Sequence, residues 1–243
     1  MKLIVAGSTG FVATEVIRQA LANPAVASVV ALGRRKAPEP QRLDPGADVS
    51  KFTSVVLENF DNEYPESVKG ALAGADACIW TIAVTPSKSK TVPREQVIKV
   101  SRDYAVKCLE TLSRLPREGD SKKPLRFIYI SGHKAERDQS KKPLIIGDYL
   151  LIRGEAETRI LETAKQTGGA VQAAVAKPGL ISGPGKKTSW LQRTLLSLIG
   201  LPSIEVSEIA AALLQQAVKG VEKETLSNDD MIRIAREVSA GNK

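Results

Sequence analysis

A serine, a tyrosine and a cation that converge on one point can move a proton to or from a carbonyl oxygen. Ser131 ends the run Leu125-Arg-Phe-Ile-Tyr-Ile-Ser131, Tyr149 follows eighteen residues later, and Arg153 stands four positions beyond it. On a helix, i, i+4 spacing puts the phenol and the guanidinium on one face. To work as an acid or base at neutral pH, tyrosine must lose about 3 pKa units from ~10, or ~4 kcal/mol of differential stabilisation. A fixed cation supplies part of this, and the serine hydroxyl can hydrogen-bond a substrate carbonyl. His133 lies two residues past Ser131 and is a secondary candidate. Asp103 and Glu157 suit ion pairs with neighbouring arginines better than they suit acting on substrate.

A second constellation could hold a phosphate. Lys2-Leu3-Ile4-Val5-Ala6 is an apolar strand pattern that breaks at Gly7-Ser8-Thr9-Gly10-Phe11-Val12-Ala13. Helical spacing then begins at Val12, Val16, Ile17, Ala20 and Leu21 and stops at Asn23-Pro24. Strand, glycine turn and helix in this order aim free backbone N–H groups and a positive helix end at one point, where a pyrophosphate fits. Sites for dinucleotides that lack a 2′-phosphate usually place a carboxylate ~20 residues further on for the ribose hydroxyl. This chain has Gly33-Arg34-Arg35 there. A guanidinium from either arginine clasps an extra 2′-phosphate, so the expected cofactor is NADP(H).

These residues need a scaffold. Apolar runs at 27–32, 52–57, 75–83, 125–131 and 171–176 read as five further strands, and helical patterns lie between most of them. Alternation of this kind implies a parallel sheet with right-handed crossovers. The expected fold class is α/β: a single doubly wound, parallel-sheet Rossmann domain over residues 1–243. Its dinucleotide-binding core is 1–177, and a small C-terminal segment, 178–243, covers the substrate. Beyond Pro178 the pattern suggests a Gly/Pro loop and three short helices. Ligands bind outside the carboxyl ends of such strands. That rule gathers Gly7, Gly33, Asn59, Thr81, Ser131, Lys177 and Pro178 into one site. The stretch Leu180–Ser207, with Gly183-Pro184-Gly185, Trp190 and an apolar run from Leu195 to Leu201, suits either a movable lid or a homodimer interface.

Composition narrows the partners. The chain of 243 residues is 42% hydrophobic and 26% charged, ordinary values for a globular protein. The net charge of +8 invites an anionic partner, yet the basic residues are scattered and aromatics are only 4%. No stacking platform for bases is visible, so no nucleic-acid partner is expected. No apolar run approaches the ~20 residues of a membrane span, and no membrane partner is expected. Cys78 and Cys108 read as reduced core thiols, His133 is the single histidine, and no metal-ligand spacing exists. The first strand begins at residue 2, which leaves no room for a targeting peptide and suggests a cytoplasmic location.

The chain resembles the atypical short-chain dehydrogenase/reductase group, most closely its NmrA-related, TIP30-like branch. The resemblance rests on the glycine turn, Gly33-Arg34-Arg35, Arg102-Asp103-Tyr104, Tyr149-Leu-Leu-Ile-Arg153-Gly154-Glu155-Ala156-Glu157 and Lys177-Pro178-Gly179. It runs in order to about residue 240. It implies a catalytic Ser131, Tyr149 and residue 153, with Tyr149 and Arg153 also touching the cofactor. The group carries lysine where this chain has Arg153, and often arginine where it has Lys177. Arginine keeps the charge but cannot join a proton relay by deprotonating. Three functions follow: an NADP(H)-dependent reductase of small carbonyls, an NADP(H)-binding regulator acting on a protein partner, or an enzyme that retains the cofactor through non-redox chemistry.

Overall fold

The computed structural model describes residues 1–117, 123–141, 143–184 and 201–241. β1 (Lys2–Ala6), β2 (Ser28–Gly33), β3 (Phe52–Val56), β4 (Ala77–Trp80), β5 (Leu125–Ile130), β6 (Val171–Ala176) and β9 (Thr225–Leu226) form one sheet in the order β3-β2-β1-β4-β5-β6-β9. Every pairing is parallel. The strands are legible as apolar runs because both faces of the sheet are covered. Ile4, Cys78 and Phe127 are aligned across it and point to one face, Val5, Ile79 and Ile128 to the other.

On the second of these faces pack α1 (Phe11–Ala22), α6 (Val206–Lys219) and α7 (Asn228–Gly241), through Val16, Ile17, Ile209, Leu213 and Met231. The opposite face is covered by α2 (Glu66–Leu72), α4 (Tyr104–Arg114) and α5 (Gly147–Gln166). An aromatic knot lies there, with Phe60 edge-on to Trp80 at 5.7 Å between centroids. α3 (Arg94–Ile98) runs into a wide π-helical turn, Lys99–Asp103, before α4 begins. Each α1 boundary has a local cause: Gly10 opens it, and the Asn23-Pro24 pair closes it because the backbone before proline leaves the helical region.

The C-terminal part differs from the sequence expectation. The described residues beyond 178 form two helices of 14 residues, α6 and α7, longer than the short ones expected, with β9 and a small parallel pair, β7 (Leu180–Ser182) and β8 (Ser203–Glu205). Runs of two or three residues are too short for alternation to show in the sequence. α6 is long because its apolar face continues from Val206 to Ala217, behind a Glu205/Glu208 capping box. Trp190 and most of the Leu195–Leu201 run lie outside the described residues.

Candidate active site

The sheet reverses its winding between β1 and β4, and the first candidate residues stand at that switch point. The Thr81 hydroxyl donates to the Ala6 carbonyl at 2.8 Å and ties the two strand ends together. Gly7 follows at φ +87°, and a Cβ there would come within 2.4 Å of Thr81 Oγ1. Glycine is therefore required twice over, by backbone angle and by space. The turn uses some of its own amides: Gly7 N–H donates to the Leu32 carbonyl at 2.9 Å and Gly10 N–H to the Gly7 carbonyl at 2.8 Å. The Thr9 and Val12 N–H groups, by contrast, have no partner among the described residues. No side chain caps α1, and its first turn holds no carboxylate. Beside it the Ser8 hydroxyl is buried without a hydrogen-bond partner.

An uncapped, acid-free helix start with an unsatisfied hydroxyl beside it is what a phosphate-bearing ligand needs. The residues present thus fit a dinucleotide. Arg34 and Arg35 sit just past β2, exposed, and neither is paired with a carboxylate among the described residues. Gly33 lies against the turn, since a Cβ on it would meet Ser8 Oγ at 2.8 Å. Val12 packs partly into the core, so only its backbone faces the turn. A cavity of about 790 Å³ opens beside Ser8, Thr9 and Phe11, walled by the 38–44 loop and by Pro184 and Val206. The start of the C-terminal segment thus borders the glycine turn. Asn59 is exposed, and its side-chain oxygen accepts from Asp61 N–H at 2.9 Å in a local turn.

The residues expected at the reacting end stand on β5, β6 and α5 and the loops that follow the two strands. Ser131 N–H donates to the Ala176 carbonyl, which fixes the strand end. Its hydroxyl donates to Glu157 Oε1 at 2.5 Å. The other oxygen of this fully buried carboxylate accepts from Arg137 Nε at 2.7 Å and Lys177 Nζ at 3.2 Å. Lys177 also donates to the Ala135 carbonyl at 2.7 Å, and the Pro178 carbonyl accepts from His133 N–H at 2.8 Å. Burial, with Lys134 and Lys177 nearby, lowers the His133 pKa below its ordinary value.

Tyr149 and Arg153 share the first turns of α5, but no hydrogen bond joins them to each other or to Ser131. The Tyr149 hydroxyl donates to the Val84 carbonyl at 3.0 Å. Burial raises its pKa, and the charge of Arg153 opposes that rise. Arg153 is 97% buried in the sense that only 3% of it is exposed. Its guanidinium donates to the Ile130 carbonyl at 2.5 Å and the Ser101 carbonyl at 3.5 Å, and lies 4.8 Å from the centroid of the Tyr129 ring. Tyr129 donates to the same Ser101 carbonyl at 2.7 Å. Ser101 lies in the π-helical turn, and its hydroxyl accepts from Val84 N–H at 3.1 Å. The site therefore depends on Val84 and Ser101, two residues that act largely through backbone atoms and carry no sequence signal. Arg102 links the same turn to α5 through Glu155 at 2.8 Å and to Asp103 at 2.7 Å.

No family model matches the chain. It is 20% identical to Protein FMP52, mitochondrial, of Candida albicans, over 98% of this chain and all of that one. Among solved structures it is similar to vestitone reductase from alfalfa, at 22% identity and a TM-score of 0.66, over 93% of this chain and 76% of that one. UDP-glucuronic acid 4-epimerase from Bacillus cereus, in complex with UDP-glucuronic acid and NAD, matches at 14% identity and a TM-score of 0.64, over 99% and 83%. The dTDP-glucose 4,6-dehydratase DesIV from Streptomyces venezuelae, with NAD bound, matches at 14% and 0.65, over 99% and 81%. The chain has a Rossmann fold. Among its described residues, no helix is long and apolar enough to cross a membrane.

Proposed function

We propose that the chain is an NADP(H)-dependent oxidoreductase of the atypical short-chain type, in the TIP30-like branch, acting on a small carbonyl or alcohol. One observation carries this reading: the start of α1 at the sheet's switch point, with no side-chain cap and no acid in its first turn, has the buried, unpartnered Ser8 hydroxyl beside it and two exposed guanidiniums past β2. The Thr9 and Val12 amides would hold the pyrophosphate, and Arg34 or Arg35 the 2′-phosphate. A bound nicotinamide supplies or accepts hydride; the remaining work falls to the protein.

In that work Tyr149 gives its phenolic proton to the substrate oxygen, and Ser131 positions that oxygen once its hydroxyl has turned from Glu157 toward the cleft. Arg153 keeps a positive charge behind the tyrosine, which favours the phenolate. Lys177 and Pro178 flank the cofactor, Lys177 by holding Glu157 in place beneath Ser131. The small-molecule partner fits a cleft at the strand ends, and a second copy of the chain against the C-terminal segment is part of the same proposal. So is the cytoplasmic location; imaging a tagged chain separates it from the mitochondrial one named for the Candida relative.

A second reading has its own support. The Tyr149 and Ser131 hydroxyls already donate to Val84 and Glu157, as they would in an NADP(H)-binding regulator in which both are structural. NADPH oxidation against a panel of ketones and quinones, in wild type and Tyr149→Phe, separates the two. Turnover lost in the variant supports the reductase. Tight NADPH uptake with no turnover of any panel member supports the regulator.

A further inference from the structure

Lys90 and Arg94 stand at the rim of a cavity of about 340 Å³ that Tyr149 also lines. Its floor is apolar: Val92, Val97 and Ile152 belong to a small cluster that includes Val84 and Tyr149. The volume is at the lower end of the range for small-molecule sites. Lys90 and Arg94 are exposed, and neither meets a carboxylate among the described residues. One carboxylate, that of Asp148, also lines the cavity and has an interaction of its own. Two cations against one carboxylate, over an apolar floor, leave the rim net positive. Such a site draws in an anion and orients it, whereas an uncharged molecule of the same shape gains only the apolar contact.

We propose that this cavity is the substrate subsite and that it selects a small carbonyl compound with an apolar body and a carboxylate at its far end. Lys90 and Arg94 hold the carboxylate, Val92 and Ile152 hold the body, and the carbonyl oxygen lies at the Tyr149 hydroxyl. The proposal rests on the oxidoreductase reading for its use of Tyr149, but its anion recognition is independent of the cofactor.

The test measures binding by ligand-observed NMR on the full chain without nucleotide, with 4-acetylbenzoate and its uncharged counterpart 4-methylacetophenone. NADPH uptake is measured on the same samples. The carboxylate should bind roughly tenfold more tightly, the effect of one good charge-assisted contact. The advantage should shrink as salt is added. The double variant Lys90→Ala/Arg94→Ala should lose it, while binding of 4-methylacetophenone and NADPH stays unchanged. Equal affinity for the two probes, or a preference that survives in the double variant, overturns the subsite. Discrimination between the probes by a chain that takes up no NADPH upholds the subsite and overturns the oxidoreductase reading instead.

Discussion

Ser131 Oγ donates its proton to Glu157 Oε1 across 2.5 Å, and Glu157 has no exposed surface. A serine has one proton to give, so in this arrangement its oxygen turns only lone pairs toward the strand-end cleft. The carboxylate that holds it is itself held by two cations, Arg137 and Lys177.

Removing that carboxylate should therefore be costly. Glu157→Ala leaves Lys177 and Arg137 without their counter-charge, and should destabilise the fold by about 3–5 kcal/mol. Glu157→Gln keeps a hydrogen-bonding group and should cost less, about 1–3 kcal/mol. Urea denaturation of the two variants checks both numbers. Midpoints equal to wild type would show that the network is not structural.

Changes at the arginines should be felt only by the ligand. Arg34→Ala or Arg35→Ala should weaken NADPH binding at least about tenfold and leave NADH binding unchanged, because a 2′-hydroxyl offers no charge to clasp. Stability should stay within about 0.5 kcal/mol, as both side chains are exposed. Calorimetric titration with the two nucleotides checks this, and an equal loss for both would remove the phosphate clamp from the proposal.

At the turn, Gly7→Ala should act on fold and site together. The side chain enters a residue at φ +87° and meets Thr81 Oγ1. A cost of about 1–3 kcal/mol is expected from the backbone alone, with nucleotide binding lost as the turn shifts. Thermal unfolding and NADPH titration of one preparation report both effects.

Tyr149 predicts an alkaline limb. Burial raises its folded pKa above the unfolded value near 10, with Arg153 opposing. The buried neutral phenol thus contributes stability that is complete below about pH 10 and is lost as pH climbs through the folded pKa. Difference titration of tyrosinate absorbance between wild type and Tyr149→Phe should show the late-ionising group. NADP⁺ should shift it downward, since the oxidised nicotinamide adds positive charge. A titration unmoved by NADP⁺ would argue against contact between the two.

Ile146, three residues before Tyr149, has φ +47° and ψ +36°, a conformation rare for a β-branched side chain. Ile146→Asn, a residue that tolerates this region, should raise stability by about 1 kcal/mol. A lower melting temperature would mean that the isoleucine's contacts outweigh its backbone cost.

The sequence was most readable where the sheet is covered on both sides. Ala173–Ala176, Leu3–Ala6 and Val29–Leu32 are unbroken apolar runs because neither face meets water. The positions of Ser131, Tyr149 and Arg153 at strand and helix ends were readable for the same reason: the ends are where those runs stop. Their partners were not. Val84 and Ser101 accept through main-chain carbonyls, which every residue has, and the π-helical turn at Lys99–Asp103 keeps an ordinary helical pattern. Arg153 occupies a position that composition cannot separate from a solvent-facing one, yet it is sealed beneath Ile130. The short strands after Pro178 were hidden by their length.

Gly154 is overlain by the Glu136 carbonyl so closely that a Cβ would sit 1.7 Å from the oxygen. Glu136 N–H donates to the Leu150 carbonyl at 3.1 Å, so the chain leaving Ser131 is riveted to the helix that bears Tyr149. Neither hydroxyl can travel without the other: they share one chassis. Any adjustment to fit a guest must then come from the opposite bank, where the hydrogen bonds of the 85–92 segment among the described residues close within the segment itself, so differences in guest preference among engineered forms should trace to that bank.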